Sequence, residues 1–230
     1  MKRILDLFLL LAFALPALTA CDDSEETDAQ WTGWKERNEA YFAEKMRTAR
    51  AAIADARAAY GDDWEAHCAW RVYKDYSLAA DQPGTATDSV CVEIVRRGTG
   101  SGCPLFTDSA RVNYRGMLIP NELAETQVYR DGYVFSYTGI SKDFDDVFNP
   151  ETAMPAMMYV GSLTSGLCTA VQYMHIGDLW RVYAPASLGY GSTEHNVIPA
   201  WSTLVFEIEL KAYYRAGTVP PVWRSGVVRE

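Results

Sequence analysis

The sequence predicts an α+β protein with an antiparallel sheet and a helical extension at its amino end. Several short runs rich in aromatic and β-branched residues are typical of strands. Among these runs, only residues 166–175 have helical spacing. Ahead of them, residues 31–60 have the spacing of one long amphipathic helix. Many short strands around one brief helix indicate an antiparallel α+β fold.

The predicted strands are separated by glycine-rich and proline-containing turn signals. Asp81-Gln82-Pro83-Gly84 is one such signal, and the glycines of residues 98–102 form another. The predicted strands are residues 69–76, 90–95, 110–118, 156–160, 179–184 and 203–213.

The amino terminus has the features of an export signal. Lys2 and Arg3 precede a short apolar run, residues 4–17, which is followed by Leu18-Thr19-Ala20-Cys21. The run is shorter than the roughly 20 apolar residues that a membrane span needs. The order Leu-Thr-Ala-Cys resembles the bacterial lipobox, which implies cleavage before Cys21 and acyl chains on that residue. An ordinary cleavable signal with an incidental cysteine is the alternative.

Residues 21–30 are predicted to be an acidic flexible tether, because they have too few apolar side chains to fold alone. Acidic residues directly after a lipidated cysteine also resemble the surface-export signals of Bacteroidetes lipoproteins. We expect the chain to be exported and lipid-anchored to the bacterial envelope, on either the periplasmic or the cell-surface face of the outer membrane.

Charge and hydropathy exclude two classes of partner. The chain has 21 Lys+Arg against 30 Asp+Glu, a net charge of −9. An acidic protein is repelled by phosphate backbones, so no nucleic acid is expected as a partner. No stretch after the signal is apolar enough to span a membrane.

Four cysteines follow Cys21, namely Cys68, Cys91, Cys103 and Cys168. In an exported chain they permit two disulfides with three possible pairings. Four buried free thiols, which pack as small apolar groups, are the alternative. Cys68 with Cys91 is one possible pair, since the two could lie on neighbouring strands.

The predicted helix of residues 31–60 has two possible roles. Its expected apolar face repeats at helical spacing and consists of Phe42, Met46, Ala49, Ile53 and Tyr60. Gly61 is a plausible residue for the end of the helix. The helix either packs on its own domain or pairs with a second copy in a homodimer, and the sequence favours neither.

Motifs for cofactor and nucleophile chemistry are missing from the sequence. The three histidines, His67, His175 and His195, have no spacing suited to a metal site. Asp143, Asp145 and Asp146 lack the pattern of a calcium loop. Neither a dinucleotide fingerprint nor a nucleophile elbow is present. No metal and no cofactor are therefore expected, and His195 is expected to be a solvated turn residue.

Five segments, in order across residues 88–214, carry a family resemblance. Val112 to Leu118 resembles V-x-Y-x-G-x-L, and Asp131 to Phe135 resembles D-G-x-x-F. Gly166 with Met174 to Asp178 resembles a short helix followed by an M-x-x-G-D turn. Tyr190-Gly191 resembles a Y-G loop, and residues 198–210 resemble an I-P-x-x-S/T-L-x-F closing strand. Together they resemble the FKBP-type peptidyl-prolyl cis/trans isomerases. The insertions at 119–129 and 149–155 resemble those of Bacteroidetes lipoprotein members.

The resemblance implies a twisted antiparallel sheet wrapped around one short helix, in a domain covering residues 64–214. Residues 215–230 would form a tail. It also implies an apolar pocket for proline. The implied catalytic residues are Tyr190, Phe135, Tyr114 and Phe206, and the implied substrate-binding residues are Val197, Ile198, Leu167, Ser136, Leu163 and Thr164. The Tyr190 hydroxyl and a backbone N–H at Leu163-Thr164 would bind substrate carbonyls.

The pocket departs from the family pattern at three positions. Ser136 replaces an aspartate, Leu167 replaces a tryptophan at the pocket floor, and Ala156 stands where an aromatic residue is expected. The substitution of aspartate by serine removes a charge that helps to order the site, and the substitution of tryptophan by leucine widens the floor.

Three hypotheses about function follow. The first is isomerisation of X-Pro bonds in exported or unfolded proteins, with chaperone-like handling and binding of macrolides such as rapamycin. The second is binding of peptides or partner proteins without turnover. The third is a surface or assembly lipoprotein in which the helix of residues 31–60 makes the contact.

Overall fold

The computed structural model of the protein describes residues 29–138 and 154–223. The chain divides into two compact units, Met1–Thr32 and Gly33–Glu230. In the first unit only residues 29–32 are described, and they form a turn in which the Thr32 N–H donates to the Ala29 carbonyl. The predicted signal, the lipidation residue Cys21 and most of the acidic tether lie outside the described residues, as do Asp143, Asp145 and Asp146.

The second unit begins with the long helix α1 (Trp34–Tyr60). Gly33 and Gly61 flank it, both with positive φ (62° and 56°), a conformation that glycine adopts without steric cost. The helix therefore starts three residues later than the predicted 31–60. A 3₁₀ turn, Gly61–Asp63, and the short helix α2 (Trp64–His67) follow.

The buried face of α1 differs from the predicted one. It comprises Trp34, Asn38, Phe42, Met46, Ala49 and Ala56. Ile53 is only half-buried, and Tyr60 is 50% exposed because its ring stacks on His67 instead of entering the core. The face packs against the β-sheet of its own domain.

Within the described residues, seven strands form that sheet, and every pairing is antiparallel. They are β1 (Trp70–Lys74), β2 (Ser89–Arg96), β3 (Ser109–Met117), β4 (Val134–Tyr137), β5 (Ala156–Tyr159), β6 (Leu179–Ala184) and β7 (Leu204–Tyr214). The strand order is β1-β2-β6-β7-β3-β4, and β5 also pairs with β3. Helix α1 lies on β1, β2 and β6.

The predicted fold class is confirmed, but strand β4 and the short helices α2 and α3 were not predicted. Strand β4 is only four residues long, so its period-2 signal is weak. A one-turn helix, α3 (Gln127–Arg130), lies in the insertion that follows β3. The expectation of a single short helix among the strands was therefore wrong. The other short helix is α4 (Ser165–Val171), which is almost wholly buried.

Strand β7 separates two environments because alternate side chains point to opposite faces of the sheet. Phe206, Ile208 and Leu210 are buried on one face. On the other face, Glu207 accepts hydrogen bonds from Arg115 at 2.6 Å and Arg181 at 2.7 Å. Burial disfavours the charged carboxylate, but the two guanidinium groups outweigh it and hold the pKa of Glu207 below its ordinary value.

All four cysteines in the described part of the chain are free thiols. The suggested Cys68–Cys91 pair is wrong. The Cys91 thiol lies under α1 and donates to the Lys45 carbonyl at 3.4 Å. Cys68 precedes β1 and bonds instead with the backbone of Trp70. Within the described residues, no helix has both the length and the apolar character that a membrane crossing requires.

Candidate active site

A cavity of about 550 Å³ opens between β3, β4, β5, α4 and the loop before β7. Clefts of about 300–1,000 Å³ are typical of small-ligand sites. Residues 189–203, which join a 3₁₀ turn to β7, are called the pocket loop below. The lining residues are Tyr114, Phe135, Ser136, Met158, Ser162, Leu163, Thr164, Leu167, Tyr190, His195, Asn196, Val197, Ile198 and Phe206.

Two phenylalanines form the apolar wall. Phe135 on β4 and Phe206 on β7 meet edge to face, with ring centroids 6.0 Å apart. Gly116 on β3 makes room for them. A Cβ at this position would lie 2.6 Å from the Phe135 ring and 3.0 Å from the Phe206 ring. The glycine of the V-x-Y-x-G-x-L segment is thus required by the two rings of the pocket.

Leu167 closes the floor at the start of α4 and is only 4% exposed. The preceding Gly166 lets the helix approach the sheet closely, since a Cβ there would lie 2.6 Å from the Ala184 Cβ. The approach of α4 fixes the depth of the cavity, and leucine leaves more space there than tryptophan would.

Tyr114 and Ser136 share a hydrogen bond at the side of the cavity. Their hydroxyl oxygens are 2.5 Å apart, and both residues are half-buried. Ser136 therefore supplies a hydrogen-bonding partner at the position where an aspartate was expected, but without the negative charge.

Tyr190 begins the part of the pocket loop that borders the cavity. Its ring stacks on His195, with centroids 4.1 Å apart and planes 9° apart. Burial, assisted by the nearby Tyr114, raises the pKa of the Tyr190 hydroxyl above its ordinary value. The hydroxyl is therefore a neutral donor at physiological pH. His195 is exposed, as expected for a turn residue, but its stacking on Tyr190 was not anticipated.

Val197 and Ile198 lie at the far side of the loop. Ile198 is 3% exposed and Val197 is 48% exposed. His195 and Ile198 exchange two backbone hydrogen bonds, each 2.9 Å long, which turn the loop back over the cavity. Asn196 lies in this turn with a φ of 52°, a conformation that asparagine tolerates better than most residues.

Leu163 and Thr164 both line the cavity, but they differ in which hydrogen-bond donors they can offer a substrate. The Leu163 N–H already donates to the Val160 carbonyl at 3.2 Å, which leaves the Thr164 N–H as the other backbone donor predicted for this segment. The Thr164 hydroxyl has no hydrogen-bond partner among the described residues. Because that oxygen is buried, the Thr164 N–H, and not the hydroxyl, is the remaining candidate of this segment to bind a substrate carbonyl.

The structure brings all ten predicted pocket residues to one cavity and adds four to the lining. Met158, Ser162, His195 and Asn196 were not predicted to line it. Ala156 is half-buried without lining the cavity, and Met158 takes the next position on the same face of β5. Among the described residues, the lining contains no aspartate, glutamate, lysine or arginine. Such a cavity suits an uncharged, apolar group.

The family of the cavity-bearing segment follows from its sequence. A family model described as FKBP-type peptidyl-prolyl cis-trans isomerase matches residues 106–211. This match contains every residue that lines the cavity. Residues 106–211 are therefore similar to FKBP-type domains. Helix α1, β1 and β2 lie outside the matched segment and precede the FKBP-type match.

Curated relatives match over part of their length. The Macrophage infectivity potentiator of Trypanosoma cruzi is 27% identical over 141 residues, which are 61% of this chain and 61% of that protein. The FKBP-type 22 kDa peptidyl-prolyl cis-trans isomerase of Escherichia coli is 30% identical over 118 residues, 51% of this chain and 46% of the relative. The matched part thus spans about half to three-fifths of these relatives.

Solved structures also align with the chain. A peptidyl-prolyl cis-trans isomerase from Pseudomonas syringae is 22% identical, with a TM-score of 0.43, over 75% of this chain and 96% of that one. FkpA from Escherichia coli is 19% identical, with a TM-score of 0.44, over 93% and 79%. With TM-scores below 0.5, these two alignments add no argument about the site.

Proposed function

We propose that this protein is a peptidyl-prolyl cis/trans isomerase acting on X-Pro bonds of exported or unfolded proteins. The observation that carries the proposal is the uncharged cavity of the FKBP-type domain, with Phe135 and Phe206 on its wall and the Tyr190 hydroxyl on its loop. No cofactor is needed for this reaction, because no covalent bond breaks.

The chemistry requires only preferential binding of a twisted amide. The barrier to rotation is about 18–20 kcal/mol, because amide resonance is lost on twisting. The twisted amide has less charge separation than either planar form, so an apolar surrounding favours it. Phe135, Phe206 and Leu167 supply such a surrounding for the proline ring. A site that binds the twisted form better than the planar forms lowers the barrier.

Two polar groups would hold the peptide beside the proline. The neutral Tyr190 hydroxyl donates to a substrate carbonyl, and its stacking on His195 limits rotation of the ring. Thr164 is the second candidate, because it lines the cavity and its N–H belongs to the segment to which the family resemblance assigns this role. Fixing the chain on both sides of the proline lowers the entropic cost of reaching the twisted state.

The test is a cis/trans isomerisation assay on short X-Pro peptides, using protein that starts at Asp22. We expect acceleration by the wild type, and a fall in kcat/KM of about five- to tenfold for Tyr190→Phe, the equivalent of about one neutral hydrogen bond. Tyr213→Phe is the matched control, because the Tyr213 hydroxyl bonds Ser101 outside the cavity. A folded wild type without any acceleration would refute the proposal.

A second candidate function is peptide binding without turnover. The observation that favours it is the pair of replacements at the site, Ser136 in place of an aspartate and Leu167 at the widened floor. This candidate predicts that an X-Pro peptide binds while its isomerisation rate stays unchanged. Under this candidate, Ser136→Asp would produce turnover that the wild type lacks.

The setting of the domain is also proposed. We expect a signal at residues 1–20, a tether at 21–30, a helix at 31–61, the isomerase domain at 64–214 and a tail at 215–230. The anchor would be Cys21, which would place the protein on the bacterial envelope. Palmitate labelling of the wild type but not of Cys21→Ser would support the anchor; equal labelling would overturn it.

A homodimer through residues 31–60 and chaperone-like activity complete the proposal. The buried face of α1 is already packed on its own sheet, so a dimer would have to use the opposite face of the helix. Sedimentation of the wild type at several concentrations tests this contact.

A further inference from the structure

The start of α1 contacts the end of the pocket loop through a buried asparagine. Asn38 is 1% exposed. Its side-chain oxygen accepts a hydrogen bond from the Thr203 N–H at 2.7 Å, and the Thr203 hydroxyl donates to the Asn38 carbonyl at 3.2 Å. The Asn38 amide nitrogen donates to the Trp34 carbonyl at 2.7 Å. Asn38 thus forms hydrogen bonds both within the helix and with Thr203 of the pocket loop.

Trp34 makes a second contact with the same loop, one turn earlier on the helix. Its indole N–H donates to the Ser202 hydroxyl oxygen at 2.9 Å, and the Ser202 hydroxyl donates to the Pro199 carbonyl at 2.7 Å. Trp34 and Ser202 are 5% and 3% exposed. Buried hydrogen bonds of this kind are costly to leave unmade, so they fix the loop end against the helix.

The fixed end of the loop is connected to the cavity by further backbone bonds. The Trp201 N–H donates to the Gly191 carbonyl at 2.7 Å, which closes the base of the loop. Trp201 has a φ of 65°, a left-handed conformation that is unfavourable for a bulky residue and persists only where its surroundings enforce it. Tyr190 directly precedes this closed part of the loop, and Ile198 lies within it.

We propose that Asn38 and Trp34 are positioning residues for the cavity. They hold the pocket loop so that Tyr190, Val197 and Ile198 face a bound proline. The inference rests on the proposed isomerase function. Helix α1 lies outside the matched FKBP-type segment, but in this role it positions the cavity residues and is not only a spacer or a dimer contact.

The first test compares Asn38→Ala with Met46→Ala in the full chain. Met46 is buried on the same face of α1 at 3% exposure and is two turns away from the loop contacts. We expect both variants to lower the melting temperature. Only Asn38→Ala should speed amide hydrogen exchange in residues 191–203, by about tenfold, because the loop opens locally.

The second readout is catalysis. With Asn38→Ala, kcat on short X-Pro peptides should fall about fivefold, while KM changes less than about twofold. The reason is that the twisted amide, unlike the planar substrate, needs the apolar walls and the Tyr190 hydroxyl in their correct relative positions. Met46→Ala should keep the wild-type kcat at temperatures where it is folded. Trp34→Phe, which keeps an aromatic ring but loses the N–H, should show a smaller effect in the same direction.

Three results would overturn the inference. The first is unchanged loop exchange in both Asn38→Ala and Trp34→Phe. The second is equally fast loop exchange in Met46→Ala. The third is faster loop exchange with unchanged kcat. If the wild type itself does not catalyse isomerisation, the proposed function fails. The quantity to measure in the variants is then the affinity for an X-Pro peptide instead of kcat. Faster loop exchange in Asn38→Ala with weakened peptide binding would then still support the positioning role.

Discussion

The hydroxyl oxygens of Tyr114 on β3 and Ser136 on β4 lie 2.5 Å apart. Serine thus keeps a partner for the tyrosine at a position where the family pattern has a carboxylate. Removing the Ser136 hydroxyl leaves the half-buried Tyr114 hydroxyl without this hydrogen bond. A carboxylate at position 136 would instead accept a stronger, charge-assisted hydrogen bond from Tyr114.

We therefore expect kcat/KM for X-Pro peptides to decrease in the order Ser136→Asp, wild type, Ser136→Ala, with about a fivefold loss for the alanine variant. Ser162→Ala is the matched control. Its hydroxyl donates to the nearby Tyr159 carbonyl, although the residue also lines the cavity. Equal kcat/KM for Ser136→Ala and the wild type would show that this hydrogen bond has no part in turnover.

Glu207 predicts how stability depends on pH. Its folded-state pKa lies below the value in the unfolded chain, because Arg115 and Arg181 outweigh the effect of burial. The carboxylate therefore contributes stability above its unfolded-state pKa of about 4.3, and this contribution is lost as the pH falls through the lower folded-state pKa.

Glu207→Gln should lower the free energy of unfolding at pH 7 by about 1–3 kcal/mol. The difference from the wild type should shrink as the pH falls below about 4. Urea unfolding at a series of pH values measures it. Glu125→Gln, at an exposed position in the insertion, should show no such trend. A difference for Glu207→Gln that grows in acid would contradict the assignment.

The cysteines should differ sharply in reactivity. Cys68, Cys91 and Cys168 are buried, and burial raises the pKa of the Cys91 thiol to about 12 and of the Cys168 thiol to about 11. Cys103 is only partly buried. In protein starting at Asp22, we expect iodoacetamide to modify Cys103 first, and the other three only after unfolding.

Mass spectrometry of labelled peptides checks this order, and Cys103→Ser should abolish the fast reaction. Four thiols should be titrated in the unfolded, unreduced protein. A count of two or fewer would mean that disulfides form in the folded chain.

The close approach of α4 to the sheet predicts a cost for enlarging Gly166. An added methyl group would lie 2.6 Å from the Ala184 Cβ and 3.2 Å from the Leu188 carbonyl. Gly166→Ala should reduce the free energy of unfolding by about 1–3 kcal/mol, a typical cost of overpacking. It should also weaken X-Pro peptide binding, because Leu167 moves with the helix. Ser165→Ala, at a half-buried neighbour, is the control; a Gly166→Ala protein as stable as wild type would rule out the clash.

Local patterns predicted six of the seven described strands, and the family resemblance gave most of the cavity residues. The V-x-Y-x-G-x-L segment, for example, identified Tyr114 by its match to the family pattern. On β5 the family resemblance pointed to Ala156, but Ala156 and Met158 share a face, and only packing shows that Met158 lines the cavity. Stacking of His195 on Tyr190 depends on the turn at His195 and Ile198, which sequence spacing does not reveal.

Asn38 was missed for a different reason. Pattern analysis assigns polar residues to the solvent face of a helix, whereas Asn38 is buried because its partner is a backbone group from a distant part of the chain. Such a pairing has no local signature. Strand β4 was missed because four residues are too few for a reliable period.

The bond between Asn38 and Thr203 joins positions 165 residues apart. During synthesis the amino-terminal helix emerges long before the pocket loop that it contacts. Until β6 is also made, the sheet under α1 is incomplete, and part of the apolar face of the helix stays uncovered. Contacts between distant positions are also slow to form, because a long loop must close first. The order of assembly therefore makes the pocket one of the last parts of the molecule to mature, and an intermediate without it is the form most open to aggregation.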